Sequence, residues 1–395
     1  MLQAFRNGRI FTDNGFESGR TLLVRDGRIE AVVTASQIMG ADRIIDLQGQ
    51  TLVPGFIDTQ VNGGGGVLFN ENPCVASIAA IGLAHRKFGT TGFLPTLISD
   101  DLHVVERAIN AVRDAIAQGV PGVLGIHIEG PFLAHEKRGV HDASKLRTID
   151  DAALQLLTTR HGGVTMVTLA PEETTPESIR ALADAGVIVS AGHTNATYDE
   201  LQPALASGLR GFTHLFNAMT GLGSREPGAV GAALADEDSW CGLIVDGHHV
   251  HKATMKIALR AKSLDRFLLV TDAMPSVGAD AKTFQIQGRP IKLVGTVIGD
   301  KIVDDEGRLA GAHLDMAGAV RNAVQMLGLD LGVALRMASA NPAAFLKLDG
   351  KLGRIAVGQR ANLALLDEQL AVTNTWIDGQ PAAVALQAAV AAVAL

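Results

Sequence analysis

The sequence predicts an α/β fold: a (β/α)8 barrel with a small β-sandwich domain built from both termini. Two patterns predict it. Eight short apolar runs, beginning near Leu52, Thr91, Val123, Thr165, Val187, Gly211, Cys241 and Phe267, alternate with helix-length segments through the middle of the chain. Short β-branched runs broken by turn dipeptides occupy the two ends. Each gap between apolar runs, roughly 22 to 42 residues, suits one crossover helix and its loops, and eight such units close a barrel.

Taken in order, Asn7-Gly8-Arg9-Ile10, residues 26–33 and Ile44-Ile45-Asp46-Leu47 are hairpin patterns. The same pattern returns at Gly353-Arg354-Ile355, residues 361–367 and residues 372–379. Neither piece has enough strands to bury a face alone, so residues 1–52 and 345–395 are expected to form one β domain, with the barrel in 53–344. Helical spacing of Ala, Leu, Ile and Val over 77–88, 101–118, 150–160, 176–185, 198–206 and 252–262 supplies crossovers. Thr175 before Pro176 is an N-cap signal. Over 282–308 the pattern reverts to strand and turn, a hairpin insertion after the eighth strand, expected near the mouth of the barrel.

Composition excludes several classes of function. The net charge is -7 with no basic block, so a nucleic-acid partner is not expected. Cys74 and Cys241 form neither a CxxC clip nor a disulfide framework and are expected to be buried free thiols in a reducing compartment. The first residues lack the apolar core of a leader, no run reaches 18 apolar residues, and the Ala/Val-rich stretch 381–395 is too short to span a bilayer. A cytoplasmic chain without membrane contact is expected.

In a barrel of this type chemistry sits at the carboxyl ends of the strands. Strand one ends in Asp58-Thr59-Gln60-Val61-Asn62, strand three in His127-Ile128-Glu129, strand five in Gly192-His193, strand six in Thr213-His214, strand seven in Asp246-Gly247-His248-His249 and strand eight in Thr271-Asp272. Glu129, His193 and His214, from three strand ends, can converge on one divalent metal with a position left for water. Asp272, on a fourth, is placed to move protons. His85, His103, His135 and His161 fall away from strand ends and are read as incidental. The Gly63 to Gly66 run lacks the Lys-Ser/Thr of a phosphate loop and is read as a tight turn. Glu172 and Glu173 follow strand four, where they could line the mouth of the site, but solvated loop charges are the expected reading.

At these residues the sequence resembles the amidohydrolase superfamily, and within it the family of N-acetylglucosamine-6-phosphate deacetylases. Val53-Pro54-Gly55-Phe56-Ile57-Asp58 marks the superfamily alone. His127-Ile128-Glu129-Gly130-Pro131-Phe132, His214-Leu215-Phe216-Asn217-Ala218-Met219 and Arg225-Glu226-Pro227-Gly228 are more specific, joined by Gly192-His193-Thr194-Asn195-Ala196, Asp246-Gly247-His248-His249-Val250, Thr271-Asp272-Ala273 and Leu309-Ala310-Gly311. The resemblance implies that Glu129, His193 and His214 ligate one divalent metal per subunit, zinc first, with iron(II), manganese or cobalt as alternatives. It implies Asp272 as general base and then acid, and His141 as the contact to the acetamide carbonyl. Asn217, Ala218 and Ala312 would meet the substrate. Arg225 and His249 would bind the phosphate across the interface of a homodimer. The His-x-His that usually ends strand one is here Gln60-Val61-Asn62, so a second metal there is expected to be weak or vestigial. His248, His251 and His313 receive no role.

The chemistry expected is hydrolysis of an amide in a small amino-sugar phosphate. A bound divalent ion polarises a carbonyl oxygen and lowers the pKa of water towards about 7, which an unassisted amide and neutral water both need. Arg supplies the planar, charge-assisted donors that a phosphate dianion requires. The galactosamine epimer, another N-acyl compound and a non-catalytic scaffold are the competing readings. A scaffold would be expected to have lost a ligand or the aspartate, and none is lost here.

Overall fold

Residues 1–34 and 40–382 are described by the computed structural model; most of the Ala/Val-rich end lies outside them. The apolar runs become eight parallel strands, Phe56–Val61, Thr90–Ile98, Gly125–Glu129, Val164–Leu169, Ile188–Ala191, Leu209–Phe212, Trp240–Ile244 and Phe267–Val270, paired in sequence order. Being covered on both faces, they are buried almost throughout, as parallel strands in such sheets are. The first and last strands meet beyond their regular ladders: Val61 bridges Ala273, Asp272 N–H donates to Gln60 O at 3.0 Å, and Asn62 N–H donates to Ala273 O at 2.9 Å. Asp58, fully buried at this seam, accepts from Thr271 Oγ1 at 2.5 Å, and burial pushes its carboxyl up to about 7.

The run beginning at Leu52 is two elements rather than one. Thr51–Pro54 pairs antiparallel with Leu363–Leu366 and parallel with Arg9–Thr12 in a terminal sheet, and the barrel strand starts at Phe56. The break is Gly55, where a Cβ would stand 2.1 Å from Thr91 Oγ1. Only a residue without one lets the chain pass from one sheet into the other at that distance.

The terminal domain is two stacked sheets. One holds Arg28–Thr34, Arg20–Arg25, Leu2–Arg6 and Arg43–Asp46; the other joins Gly15–Ser18, Arg9–Thr12 and Thr51–Pro54 to Leu363–Leu366, Val372–Ile377 and Gln380–Pro381. Phe5, Ile10, Leu22, Leu363 and Trp376 bury between them, and the rings of Phe5 and Trp376 meet edge-on at 5.2 Å. Residues from opposite ends of the chain thus fill one core, which explains why neither end could close it alone.

Helices Val75–Arg86, Leu102–Ala117, Asp151–Leu157, Pro176–Asp184, Tyr198–Ala206 and Lys252–Ala261 occupy the expected crossovers. Thr175 caps the fourth by accepting from Ser178 N–H at 3.2 Å. The crossover after strand six, Gly228–Ala235, gave no periodic signal because it is glycine- and alanine-rich and buried on most of its surface. The insertion is a three-stranded antiparallel sheet, Thr283–Ile286, Arg289–Thr296 and Gly299–Asp304, rather than a single hairpin. Its apolar face, with Ile286, Ile291 and Ile302, packs on Ile98, Met274 and Val140. No helix among the described residues is long and apolar enough to cross a membrane.

Candidate active site

Glu129, His193 and His214 come together at the carboxyl end of the barrel, all three buried, with one ligand atom from each lying within 4.8 Å of the others. His214 Nε2 is 3.0 Å and His193 Nε2 3.3 Å from Glu129 Oε1. Glu129 is the last residue of its strand, whereas His193 and His214 each stand two residues past theirs, as Asp272 does past Val270. At those three positions the backbone turns through the left-handed region, with φ of 49°, 34° and 52°. Such strain persists only where the surroundings over-determine it, and three instances around one cavity mark a built site.

The donor set fits a divalent cation. His193 Nδ1 hydrogen-bonds the Lys137 carbonyl at 2.8 Å, which fixes the proton on Nδ1 and leaves Nε2 as a lone pair. That lone pair faces His214 Nε2 at 3.1 Å. Two imidazole nitrogens at this separation beside a carboxylate need positive charge between them. The electrostatics agree: burial opposes charge on Glu129, yet the two histidines hold its carboxyl well below the usual range. Burial likewise opposes a charged His214, and Glu129 outweighs it and raises the imidazole. One carboxylate and two imidazoles, with a protein carbonyl orienting one ring, suit zinc and its neighbours.

Asp272 lies beside this group. Asn62 Nδ2 donates to its Oδ1 at 2.6 Å, and Gln60 Nε2 donates to the same oxygen at 3.2 Å and to Glu129 Oε1 at 3.1 Å. The two amides that replace the histidines of strand one therefore act as donors that tie the carboxylates together. Burial first, and then the negative charge of Glu129, push Asp272 up to about 6, a range suited to proton exchange near neutral pH.

His141 completes one wall. Its ring stands edge-on to His193 with centroids 4.5 Å apart, and burial depresses its pKa to about 3, so the imidazole is neutral. The cavity, about 340 Å³, is also lined by Asn62, Asn217, Ala218, His249, Met274, Leu309 and Gly311. His249 is held by Asp246, whose Oδ2 is 2.6 Å from Nδ1 and whose Oδ1 accepts the His249 N–H at 2.9 Å. Ala312 sits behind the wall: its N–H donates to Asp272 O and its carbonyl accepts from Met274 N–H. Arg225 is not brought into the cavity. It lies in the exposed loop after strand six, with no ion-pair or hydrogen-bond partner among the described residues.

Four other histidines have structural roles. His85 bonds the Gly63 carbonyl at 2.9 Å and His161 bonds Thr165 at 2.8 Å. His251 caps the helix Lys252–Ala261, and His313 pairs with Ser276 at 2.9 Å. Gly63–Gly64 and Val67–Leu68 form a tight ribbon, with Gly65 and Gly66 at φ of 62° and 84°; a Cβ at Gly64 would meet the His85 ring at 2.8 Å. Cys241 is buried, and burial raises its thiol to about 12, but Cys74 is only half-buried at a helix start.

Three contributors carry no sequence signal of their own: Ser99 behind His141, the Lys137 carbonyl behind His193, and Glu172. Glu172 is not a solvated loop charge. It is half-buried and accepts from Thr194 Oγ1 at 2.6 Å and from Asn195 N–H, holding the two residues that follow His193. A larger cleft, about 1160 Å³, opens at the amino end of the barrel around Trp240, Lys262 and Arg266, but none of the converged groups lies there. In such barrels that end serves stability.

Residues 51–382 match the amidohydrolase family, and the chain belongs to that family of hydrolases. Among its relatives, the N-acetylgalactosamine-6-phosphate deacetylase of Shewanella sp. (strain ANA-3) is 46% identical over 334 residues, 85% of this chain and 84% of the relative. The N-acetylglucosamine-6-phosphate deacetylase of Haemophilus influenzae is 34% identical over 383 residues, 96% of this chain and 99% of the relative. The crystal structure of N-acetylglucosamine-6-phosphate deacetylase from Pasteurella multocida superposes with a TM-score of 0.92 at 37% identity, covering 96% of this chain and 99% of that one.

Proposed function

We propose that the chain hydrolyses N-acetyl-D-glucosamine 6-phosphate to D-glucosamine 6-phosphate and acetate, in amino-sugar catabolism and recycling in the cytoplasm. The observation that carries this reading is the buried Glu129, His193, His214 group beside Asp272, in a family fold shared with deacetylases of that substrate. Held by those three ligands, one divalent ion per chain, zinc first and iron(II), manganese or cobalt next, would supply Lewis acidity at the acetyl oxygen and lower the pKa of water.

The chain's own groups do the rest. Asp272, anchored by Gln60 and Asn62, accepts a proton from water as its oxygen attacks the acetyl carbon, then returns it to the sugar nitrogen as the C–N bond breaks. His141 donates to the acetyl oxygen as negative charge develops there. Asn217 and Ala218 position the sugar phosphate, with Ala312 supporting the wall. His249 and Arg225 neutralise the phosphate. Arg225 is exposed and does not line its own cavity, and in this reading it serves the site of a neighbouring subunit in a homodimer. Gln60 and Asn62 leave a second metal position weak or vestigial.

A second reading, N-acetylgalactosamine 6-phosphate as substrate, is favoured by the 46% identity to the Shewanella enzyme of that name. Acetate release from both 6-phosphates and from unphosphorylated N-acetylglucosamine, after metal analysis of the purified protein, separates the readings. A higher kcat/KM for the glucosamine substrate supports the first, and the reverse order the second. Turnover indifferent to phosphate rejects both.

A further inference from the structure

The structure assigns to Ser99 a positioning role: it holds His141 as the neutral tautomer with its proton on Nε2, facing the cavity. Ser99 is the residue after the second barrel strand, fully buried. Its main-chain N–H donates to His141 Nδ1 at 3.2 Å, and its Oγ lies 2.7 Å from the same nitrogen. An amide N–H has nothing to accept with, so Nδ1 must be the lone pair, and the hydroxyl on the same nitrogen then donates as well. The ring's single proton is left on Nε2. Nδ1 is fully engaged with Ser99, and His141 lines the cavity.

Ser99 is itself held from outside the barrel. Its carbonyl accepts from Gln287 Nε2 at 2.8 Å, and Gln287 stands in the turn between Thr283–Ile286 and Arg289–Thr296, at φ 50°. The insertion thereby fixes the tautomer of a cavity histidine through one intervening serine, and its packing against Val140 fixes the neighbouring backbone. A donor aimed at a developing oxyanion acts only if its proton is on the correct nitrogen before the substrate arrives.

The inference rests on the reading of His141 as a donor to the acetyl oxygen, and two measurements keep the two apart. The first is ring-nitrogen NMR of the zinc-loaded full chain labelled with 15N-histidine, in which couplings to the ring protons distinguish Nδ1 from Nε2 and His141→Gln assigns the signals. A protonated Nε2 with an unprotonated Nδ1 is expected; a protonated Nδ1 overturns the proposal, whether or not the protein is a deacetylase. The second is steady-state deacetylation by Ser99→Ala. We expect kcat to fall about tenfold, as for other groups that orient a functional histidine, with metal content retained and KM within about twofold of wild type. Gln287→Ala should act in the same direction by less. If kcat of Ser99→Ala stays within about twofold of wild type, the Ser99 hydroxyl does not position the histidine, and the main-chain N–H, which the substitution keeps, is left to the NMR result. Absence of deacetylation by the wild type defeats the functional reading alone, and the NMR result still decides the role of Ser99.

Discussion

The two halves of the proposed site are built in opposite ways. The group around Glu129 is complete within one chain: Glu129, His193 and His214 are buried, neighbours hold Glu129, His193 and Asp272, and His193, His214 and Asp272 stand on backbone forced into the left-handed region. The Arg225 loop is exposed and its guanidinium is unpartnered among the described residues, with Leu222 in the same loop 61% exposed. The first arrangement is preorganised for charge that develops during reaction. The second is an exposed surface, which the proposed function assigns to the phosphate of a neighbouring subunit. Bond making is therefore expected to depend on one subunit and phosphate recognition on two.

The largest effect tests the self-contained half. Removing the metal with a chelator should abolish acetate release, and adding back zinc should restore it. Asp272→Asn should lower kcat by at least about a thousandfold, within the range of a lost general acid and base, while retaining about one metal per chain. An active Asp272→Asn protein would mean that the proton is carried elsewhere. His193→Ala should lose the metal and the activity together, because two ligands remain.

The next effect tests the open half. Arg225→Ala removes a charge-assisted phosphate contact, commonly about 1.5–3 kcal/mol, so KM for the 6-phosphate should rise roughly ten- to a hundredfold. Turnover of the unphosphorylated sugar should not change. Mixing Arg225→Ala with Asp272→Asn subunits, each crippled alone, should regain activity if the arginine crosses the interface. No recovery after demonstrated subunit exchange would place Arg225 in its own subunit's site or in none.

The same contrast governs what could be read from the sequence. The barrel strands were legible because burial on both faces makes each a short continuous apolar run, and the polar residues closing those runs had to be the ones at the mouth. Glu129, His193, His214 and Asp272 stood out for that reason. The exception at Leu52 arose because two strands from different sheets abut with only Gly55 between them. Ser99, Glu172 and the Lys137 carbonyl were illegible, since each acts on a residue 22 to 56 positions away and a serine or a main-chain oxygen has no pattern of its own. Residues that carry chemistry announce their type, whereas residues that hold them are defined only by the fold.

Glu172 gives the smallest effect and sharpens the comparison most. Its carboxylate accepts two hydrogen bonds from the residues after His193, the proposed metal ligand on strained backbone. Glu172→Gln keeps the shape but offers one carbonyl oxygen in place of two carboxylate oxygens, so the Asn195 N–H or the Thr194 hydroxyl loses its acceptor. Because the group is partly solvated, we expect a cost of about 1 kcal/mol or less. If the strain at His193 is maintained by this clamp, the loss should appear as severalfold weaker metal retention under chelator competition, with KM for the phosphorylated sugar unchanged. If the substitution instead raises KM and leaves metal retention intact, the clamp belongs to the substrate side of the cavity, and the division between a self-contained metal half and an open phosphate half is drawn in the wrong place.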